Sequence, residues 1–227
     1  MKKSSYLVMA AALAGMSFGA QAAVQTIVVD AGKLTNIESL LNPSFGIDKF
    51  DSTLGALTSV RIDLSTAFSG DLKVENLGGR AATPQFTFNE SVKVSSATLG
   101  TLITGGNSYS QTLSLARYDG TRDYQGASGV TQKFGVLNSA DSISYTDAAT
   151  LAAFTGAGKL NLDVLGATSV TVLGSGNFGR SVPTNLDVGV TVTYEYTAAP
   201  VPEPETYAML LAGLGLVGAI ARRRKSA

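Results

Sequence analysis

An all-β fold, an antiparallel β-sandwich with one short helix, is predicted by three features of the centre of this sequence. Polar and apolar residues alternate in several short runs, β-branched and aromatic residues dominate these runs, and Gly, Asn, Asp and Ser separate them. Short alternating strands of this kind are typical of two antiparallel sheets packed face to face. The sequence contains no exact internal repeat, which argues against a solenoid or a propeller.

The strongest alternation lies in LDVGVTVTYEYT, residues 186–197. Period two places alternate side chains on opposite faces of a strand, so this run predicts a long strand with one buried face. The face predicted to be buried consists of Leu186, Val188, Val190, Val192, Tyr194 and Tyr196.

The same pattern predicts the other strands. SVRIDLS and GDLKVEN are predicted to form a hairpin joined through Phe68, Ser69 and Gly70. In KLNLDVLGATSVTVLG, a turn at Gly166 is predicted to separate two strands, and QTIVVD is predicted to be an edge strand. Further strands are predicted in QFTFNESVKVS, QTLSLARYDG and DSISYTD, the last with Ile143 and Tyr145 facing inward.

One helix is predicted after the last of these strands. Asp147 can accept hydrogen bonds at the start of AATLAAF, whose Ala and Leu favour a helix, and Gly156 follows as a stop.

Residues 1–22 have the three parts of a secretory signal peptide. Lys2 and Lys3 form a positive start, residues 6–18 are apolar, and Ala20 and Ala22 supply the small residues of a cleavage site. A signal helix is therefore predicted there, followed by a mature chain that begins at or near Ala23 and a β-sandwich body over residues 23–199.

The last segment, residues 200–227, is a tail of three parts. Pro202, Glu203 and Pro204 favour extended backbone. Residues 207–221 are apolar and predict a transmembrane helix of about 22 Å, which is short against a hydrocarbon core of about 30 Å. The basic end is predicted to stop transfer on the cytoplasmic side and consists of Arg222, Arg223, Arg224 and Lys225.

This tail, VPEPETYAMLLAGLGLVGAIARRRK, closely resembles the PEP-CTERM sorting domain, because the Pro-Glu-Pro motif, the Gly-rich apolar run and the Arg cluster occur in the family's order. The resemblance implies export through the secretory translocon, transient residence in the inner membrane, and recognition by an exosortase-type processing enzyme near residues 202–204. It further implies release to the outer envelope or the extracellular matrix, where exopolysaccharide is a candidate partner.

The body also resembles a family, the choice-of-anchor E domain. The similar segments are FDSTLGALTSVRIDLSTAFSGDLKVEN, TDAATLAAFTGAGKLNLDV and VTVTYEYT. This resemblance implies a β-rich surface domain carried by different C-terminal anchors, with no catalytic residues to transfer. Its glycines would serve turns, namely Gly55, Gly70, Gly156 and Gly158.

Composition narrows the chemistry available to the body. The chain has no His and no Cys, which excludes Ser-His-Asp triads, thiol nucleophiles and imidazole or thiolate metal sites. Carboxylate chemistry, a Ser-Lys pair and oxygen-ligated Ca²⁺ remain open. Residues 24–200 contain 11 basic and 15 acidic residues, a net charge of −4, which is a poor match for nucleic acid.

The candidate ligand residues lie in YDGTRDYQG. Two carboxylates with tyrosines can hold a sugar or serve glycoside hydrolysis, whereas the same residues also suit a solvated turn. These candidates are Tyr118, Asp119, Asp123 and Tyr124, and Asp48 with Asp51 form a second pair.

We expect a non-enzymatic structural or adhesive component of the envelope or matrix, with no cofactor, no metal and no nucleic-acid partner. The alternative is a carbohydrate-binding or carbohydrate-active module that uses the Asp and Tyr residues of this loop.

Overall fold

A computed structural model describes residues 24–37, 43–199, 209, 211–218 and 222. The chain divides into two units, of which one is Val24–Ala198 and the other combines the two ends, Met1–Ala23 and Ala199–Ala227. The predicted signal peptide and its cleavage site lie outside the described residues. All the core residues that the structure describes lie within Val24–Ala198, so this unit has the hydrophobic core that an independently folding domain requires.

The described strands of this unit form two antiparallel sheets, which confirms the predicted β-sandwich. The five-stranded sheet has the order β1 (Val24–Leu34), β9 (Thr184–Ala198), β3 (Gly55–Asn76) and β6 (Gly129–Tyr145), with β8 (Phe178–Ser181) pairing beside the end of β3. The four-stranded sheet has the order β2 (Ser44–Asp48), β7 (Lys159–Leu173), β4 (Gln85–Ser96) and β5 (Gly100–Thr112).

Strand β9 buries the face that its alternation predicts. Five of its six predicted core side chains are at most 1 % exposed, and the sixth, Tyr196, is half-buried against Phe50. The Tyr194 hydroxyl donates to the Asp48 carbonyl at 2.8 Å, and burial raises the pKa of this tyrosine. Strand β1 is an edge strand, as predicted for QTIVVD.

The predicted hairpin between SVRIDLS and GDLKVEN is wrong, because both runs belong to the single 22-residue strand β3. Gly70 does not form a turn. A Cβ at this position would lie 2.6 Å from the Pro183 carbonyl oxygen and 2.7 Å from Cζ of Phe134. Glycine is needed here for close packing. Where a turn was predicted, the pairing of β3 with β6 shows only a register shift between Phe68 and Gly70.

The predicted turn at Gly166 is wrong for the same reason. Strand β7 runs unbroken over 15 residues, and a Cβ at Gly166 would lie 2.6 Å from Cδ1 of Ile37 and 2.8 Å from Cδ2 of Leu186. The glycine lets core side chains approach the strand backbone. By contrast, Gly156 and Gly158 have positive φ angles of 124° and 87° between the helix and β7, as expected for turns.

The predicted helix is confirmed as α1 (Ala148–Phe154). The Asp147 side chain accepts a hydrogen bond from the Thr150 amide at 2.9 Å, and Gly156 follows the Thr155 cap. Strands β2, β5 and β8 and the first half of β6 were not predicted, and the strand predicted in QTLSLARYDG is wrong, because β5 ends at Thr112 and the rest of this run lies in the connection that follows. Ile143, which was predicted to be buried, is 38 % exposed because β6 lies at the edge of its sheet.

Polar side chains join the two sheets along the edges formed by β5 and β6. Gln111 donates to Gln132 at 2.6 Å, and Tyr145 donates to the Leu102 carbonyl. Behind these contacts Glu90, only 4 % exposed, accepts from Asn107 at 3.2 Å, while its other carboxylate oxygen has no partner among the described residues. Burial raises the pKa of Glu90, and the negative charge of Asp141 adds to this rise.

In the tail, residues 209, 211–218 and 222 are helical. No helix formed by the described residues has the length and apolar character needed to cross a membrane, so the transmembrane helix predicted over residues 207–221 is not confirmed. The remaining residues of that predicted helix lie outside the described part of the chain.

A first prediction concerns the close packing at Gly166. Replacing Gly166 by Ala should lower the free energy of unfolding by about 1–3 kcal/mol, because the added methyl group must displace Ile37 and Leu186. Urea denaturation measures the change. The control is Gly135→Ala in β6, where an added Cβ meets no atom within 4 Å. Equal effects at the two positions would contradict the packing role.

A second prediction concerns the Glu90 carboxyl group. Its pKa is raised in the folded state, so its stabilising contribution is complete below the ordinary value of 4.5 and is lost as the pH rises through the folded value. Glu90→Gln should therefore stabilise the protein relative to wild type increasingly from about pH 4.5 towards neutrality. Thermal unfolding over this range tests the difference. The control is Glu195→Gln, at an exposed position of β9, and an equal gain there would contradict the role of burial.

Candidate functional site

Three connections meet at one end of the sandwich, and we call them together the loop end: residues 77–84, 113–128 and 174–177. Backbone hydrogen bonds join them to one another. The Leu77 amide donates to the Asn177 carbonyl at 2.8 Å, and the Tyr118 amide donates to the Gly78 carbonyl at 2.9 Å. Ala82 and Leu115 exchange two bonds, each of 2.9 Å. The loop end is therefore a connected structure.

Asn76, the last residue of β3, organises this structure. It is 1 % exposed, and its side-chain amide donates to the carbonyls of Arg80 at 2.8 Å and Ala116 at 2.7 Å. Its side-chain oxygen accepts from the Gly78 backbone amide at 2.9 Å, and the backbone amide of Asn76 donates to the Ser128 carbonyl at 2.9 Å. One buried side chain thus fixes two of the three connections.

Glu75, the preceding residue, holds the longest connection against the outer face of the five-stranded sheet. It is fully buried, and its Oε2 accepts from the Tyr124 amide at 2.8 Å. Its neighbours on the adjacent strands are Gly129 and Gly179. A Cβ at Gly129 would lie 2.6 Å from the Gln125 amide nitrogen, and one at Gly179 would lie 2.7 Å from Nε of Arg122. The two glycines leave the space that the loop occupies.

The four candidate ligand residues all lie in this loop. Asp119 accepts from the Thr121 amide and Asp123 from the Gln125 amide, each at 2.9 Å. Both carboxylates therefore stabilise turns. The Thr121 amide lowers the pKa of Asp119, and the Ser128 hydroxyl contributes to the same effect.

The tyrosines of the loop have different surroundings. Tyr124 adopts a left-handed backbone with φ of 60°. Its hydroxyl accepts from Nε of Arg122 at 3.1 Å, and the guanidinium carbon lies 5.6 Å from the ring centre. Tyr118 is half-buried, and the hydrogen bond that its backbone amide donates to the Gly78 carbonyl fixes its position.

The second carboxylate pair lies away from the loop end. Asp51 caps the short 3₁₀ helix Ser52–Leu54 by accepting from the Thr53 amide at 2.9 Å. Asp48 forms an ion pair with Lys159 at 3.0 Å. Across the part of the chain that the structure describes, no group of three or more Asp, Glu, His or Cys residues is arranged to hold a metal ion.

Four arginines gather at the loop end. Arg80, Arg117 and Arg122 lie in its connections and Arg180 in the adjoining strand β8, and all four are exposed. Among the residues that the structure describes, Arg80, Arg117 and Arg180 form no ion pair. A groove of about 520 Å³ runs beside Arg80 and is lined also by Asn76, Gly78, Gly79, Ser175 and Gly176.

Sequence reasoning did not find this cluster. Its members are spread over about a hundred residues of sequence, and only pairing between distant strands brings them together. In the sequence, Glu75 and Asn76 are the last two residues of the predicted strand GDLKVEN, and their residue types do not distinguish them from exposed polar residues. The only local signal was the change from alternation to Asn-Leu-Gly-Gly at residues 76–79.

The predicted sorting motif, Pro202 to Pro204, lies outside the described residues, and so do Arg223, Arg224 and Lys225 of the predicted stop. Comparison with protein families matches residues 200–225 to the PEP-CTERM protein-sorting motif. This match confirms the resemblance of the tail and indicates exosortase-dependent sorting of an exported protein. The resemblance of the body to the choice-of-anchor E domain is not confirmed.

No curated protein matches the chain. Among solved structures, the chain is similar to the infectious bursal disease virus Gx strain at 11 % identity and a TM-score of 0.21, over 78 % of this chain and 38 % of the viral one. The VP2 subviral particle of the same virus matches at 12 % identity and a TM-score of 0.19, over 78 % and 38 % of the two chains. This chain thus spans well under half of these viral chains, and scores this low do not establish a shared fold.

The buried amide of Asn76 gives a third prediction. Asn76→Ala should lower the free energy of unfolding by about 2–3 kcal/mol, because three backbone groups lose their partner. Asn76→Asp, which keeps the shape of the side chain but removes both of its N–H donors, should be no more stable than Asn76→Ala. The matched control, Asn161→Ala on an exposed position of β7, should change stability by less than about 0.5 kcal/mol. Hydrogen exchange should increase first in residues 77–84 and 113–128, and unchanged protection there would contradict the organising role.

Proposed function

We propose that this chain is an exported cell-envelope or exopolysaccharide-matrix protein, sorted and processed through its C-terminal tail. The observation that carries the proposal is the match of residues 200–225 to the PEP-CTERM protein-sorting motif. In this proposal the secretory translocon exports the chain, the tail holds it briefly in the inner membrane, and an exosortase-type enzyme separates the body from the tail. The body then reaches the outer envelope or the extracellular matrix.

The role proposed for the body is structural or adhesive rather than catalytic. The absence of His and Cys from the sequence supports this role, because the common general bases and nucleophiles are missing. The two loop carboxylates, Asp119 and Asp123, are engaged in turns. Carbohydrate binding by the loop end is compatible with an adhesive role, whereas no observation favours hydrolysis of a sugar.

The order of the tail supports separation of the body from the membrane. As a helix, an apolar run of 15 residues would be short for a membrane span, so it suits transient rather than permanent anchoring. The basic residues after it favour the cytoplasmic side, which leaves the body on the other side of the membrane. In the sequence, the Pro-Glu-Pro motif lies between the body and the apolar run, where a processing enzyme can reach it.

A fourth prediction tests recognition of the motif. Wild-type protein from the native host should be recovered outside the inner membrane with its N-terminus at or near Ala23 and without Ala227. Glu203→Ala should keep the body attached to the membrane with its tail intact, because the motif loses its charged residue while the apolar run and the basic end are unchanged. Cell fractionation shows whether the body stays with the membrane, and intact-mass measurement shows whether the tail is retained.

The matched control for this experiment is Glu205→Ala, which removes a neighbouring glutamate just after the motif. It should be processed like wild type. A wild-type protein that retains Ala227 in the extracellular fraction, or equal processing of wild type and Glu203→Ala, would refute the proposed sorting.

A further inference from the structure

The loop end differs in charge from the rest of the body. Its connections and strand β8 together hold four Arg and two Asp residues, a net charge of +2. The remainder of residues 24–200 holds seven basic and 13 acidic residues, a net charge of −6. Four of the five arginines of the body lie at this one end, so the body has a basic end and an acidic remainder.

The arginines are brought together by the buried network beneath them. The Asn76 amide binds the carbonyls of Arg80 and Ala116, so Arg80 and Arg117 belong to adjacent backbone segments although 37 positions separate them. Arg122 lies across Gly179, the neighbour of Arg180 in β8. Because the buried Asn76 side chain already holds these segments by hydrogen bonds, binding a ligand here requires little ordering of the loops.

The chemistry of this surface favours a carboxylate-bearing ligand. An arginine without an ion pair presents a planar fork of donors that matches a carboxylate in two parallel hydrogen bonds. Apart from Asn76 and Arg80, the groove is lined only by the small residues Gly78, Gly79, Ala81, Ala82, Ser175 and Gly176, so a chain of sugar rings can approach the backbone. The rings of Tyr118 and Tyr124 lie in the same connection and can contact sugar faces.

We infer that the loop end binds an acidic polysaccharide, a sugar chain carrying carboxylate groups, with Arg80 and Arg117 as its main anion contacts. This inference rests on the proposed function, since it names the matrix partner that the exported body would hold. The acidic remainder of the body repels the same polymer, which orients the domain so that it binds through one end.

The test is affinity electrophoresis of residues 24–199 through gels that contain polygalacturonate, with dextran as the neutral polymer. Wild type should be retarded by polygalacturonate and not by dextran, and the retardation should weaken as salt is added. Arg80→Gln with Arg117→Gln should weaken binding about tenfold or more. The affinity of Arg80→Lys with Arg117→Lys should lie between those of wild type and the glutamine variant, since the positive charges are kept and the planar guanidinium groups are lost.

The matched control is Lys49→Gln with Lys93→Gln, which removes the same charge from positions outside the loop end. It should change the affinity by less than about twofold. Thermal unfolding of each variant checks that its fold is retained.

Three outcomes would overturn the inference: no retardation of wild type, equal losses in the arginine and lysine variants, or equal retardation by duplex DNA. Each would leave the sorting proposal standing if Glu203→Ala still blocks processing. Conversely, normal processing of Glu203→Ala together with arginine-dependent binding would refute the sorting proposal alone.

Discussion

The burial of the last two residues of β3 is the constraint on which the organisation of the loop end depends. Glu75 and Asn76 are both polar and both inaccessible to solvent. A buried amide or carboxylate is costly unless it finds hydrogen-bond partners. Asn76 finds its partners in the connections that follow β3 and β5. One carboxylate oxygen of Glu75 accepts from the Tyr124 amide, whereas the other has no partner among the described residues. The position of these loops is therefore tied to the end of one strand.

The same strand also ties together the rest of the five-stranded sheet. Strand β3 pairs with β6 along one side and with β9 and then β8 along the other. Its inward side chains form part of the core, and its outward Glu75 receives the loop. A shorter strand would end before Glu75 and Asn76, and the long connection between β5 and β6 would lose its support.

The edges of the sandwich are protected by different means. Strand β1 contains an irregularity between Asp30 and Lys33, and β2 has only five residues. Strand β6 carries a register shift and the acidic Asp141, and its side chains bind those of β5 across the gap between the sheets. Such features discourage pairing with a second chain, which suits a domain that must pass through export before it reaches its destination.

The sequence by itself determined the class of fold, the short α-helix of the body and the sorting motif in the tail, because each depends on a local pattern. Alternation with period two predicts a strand wherever a face is buried, as in β9, and Asp147 followed by alanines predicts a capped helix. The sorting motif is likewise a contiguous stretch. These features can be read without knowing which segments become neighbours.

Only the tertiary structure decided the role of the glycines and of the loop end. A glycine that makes a turn and a glycine that admits a core side chain look the same in sequence, so Gly70 and Gly166 could not be told apart from Gly156. Asn76, Arg80 and Ala116 meet only because strands distant in sequence pair in one register. Hydrogen bonds between such segments arise from pairing and burial, and no local pattern of residue types encodes them.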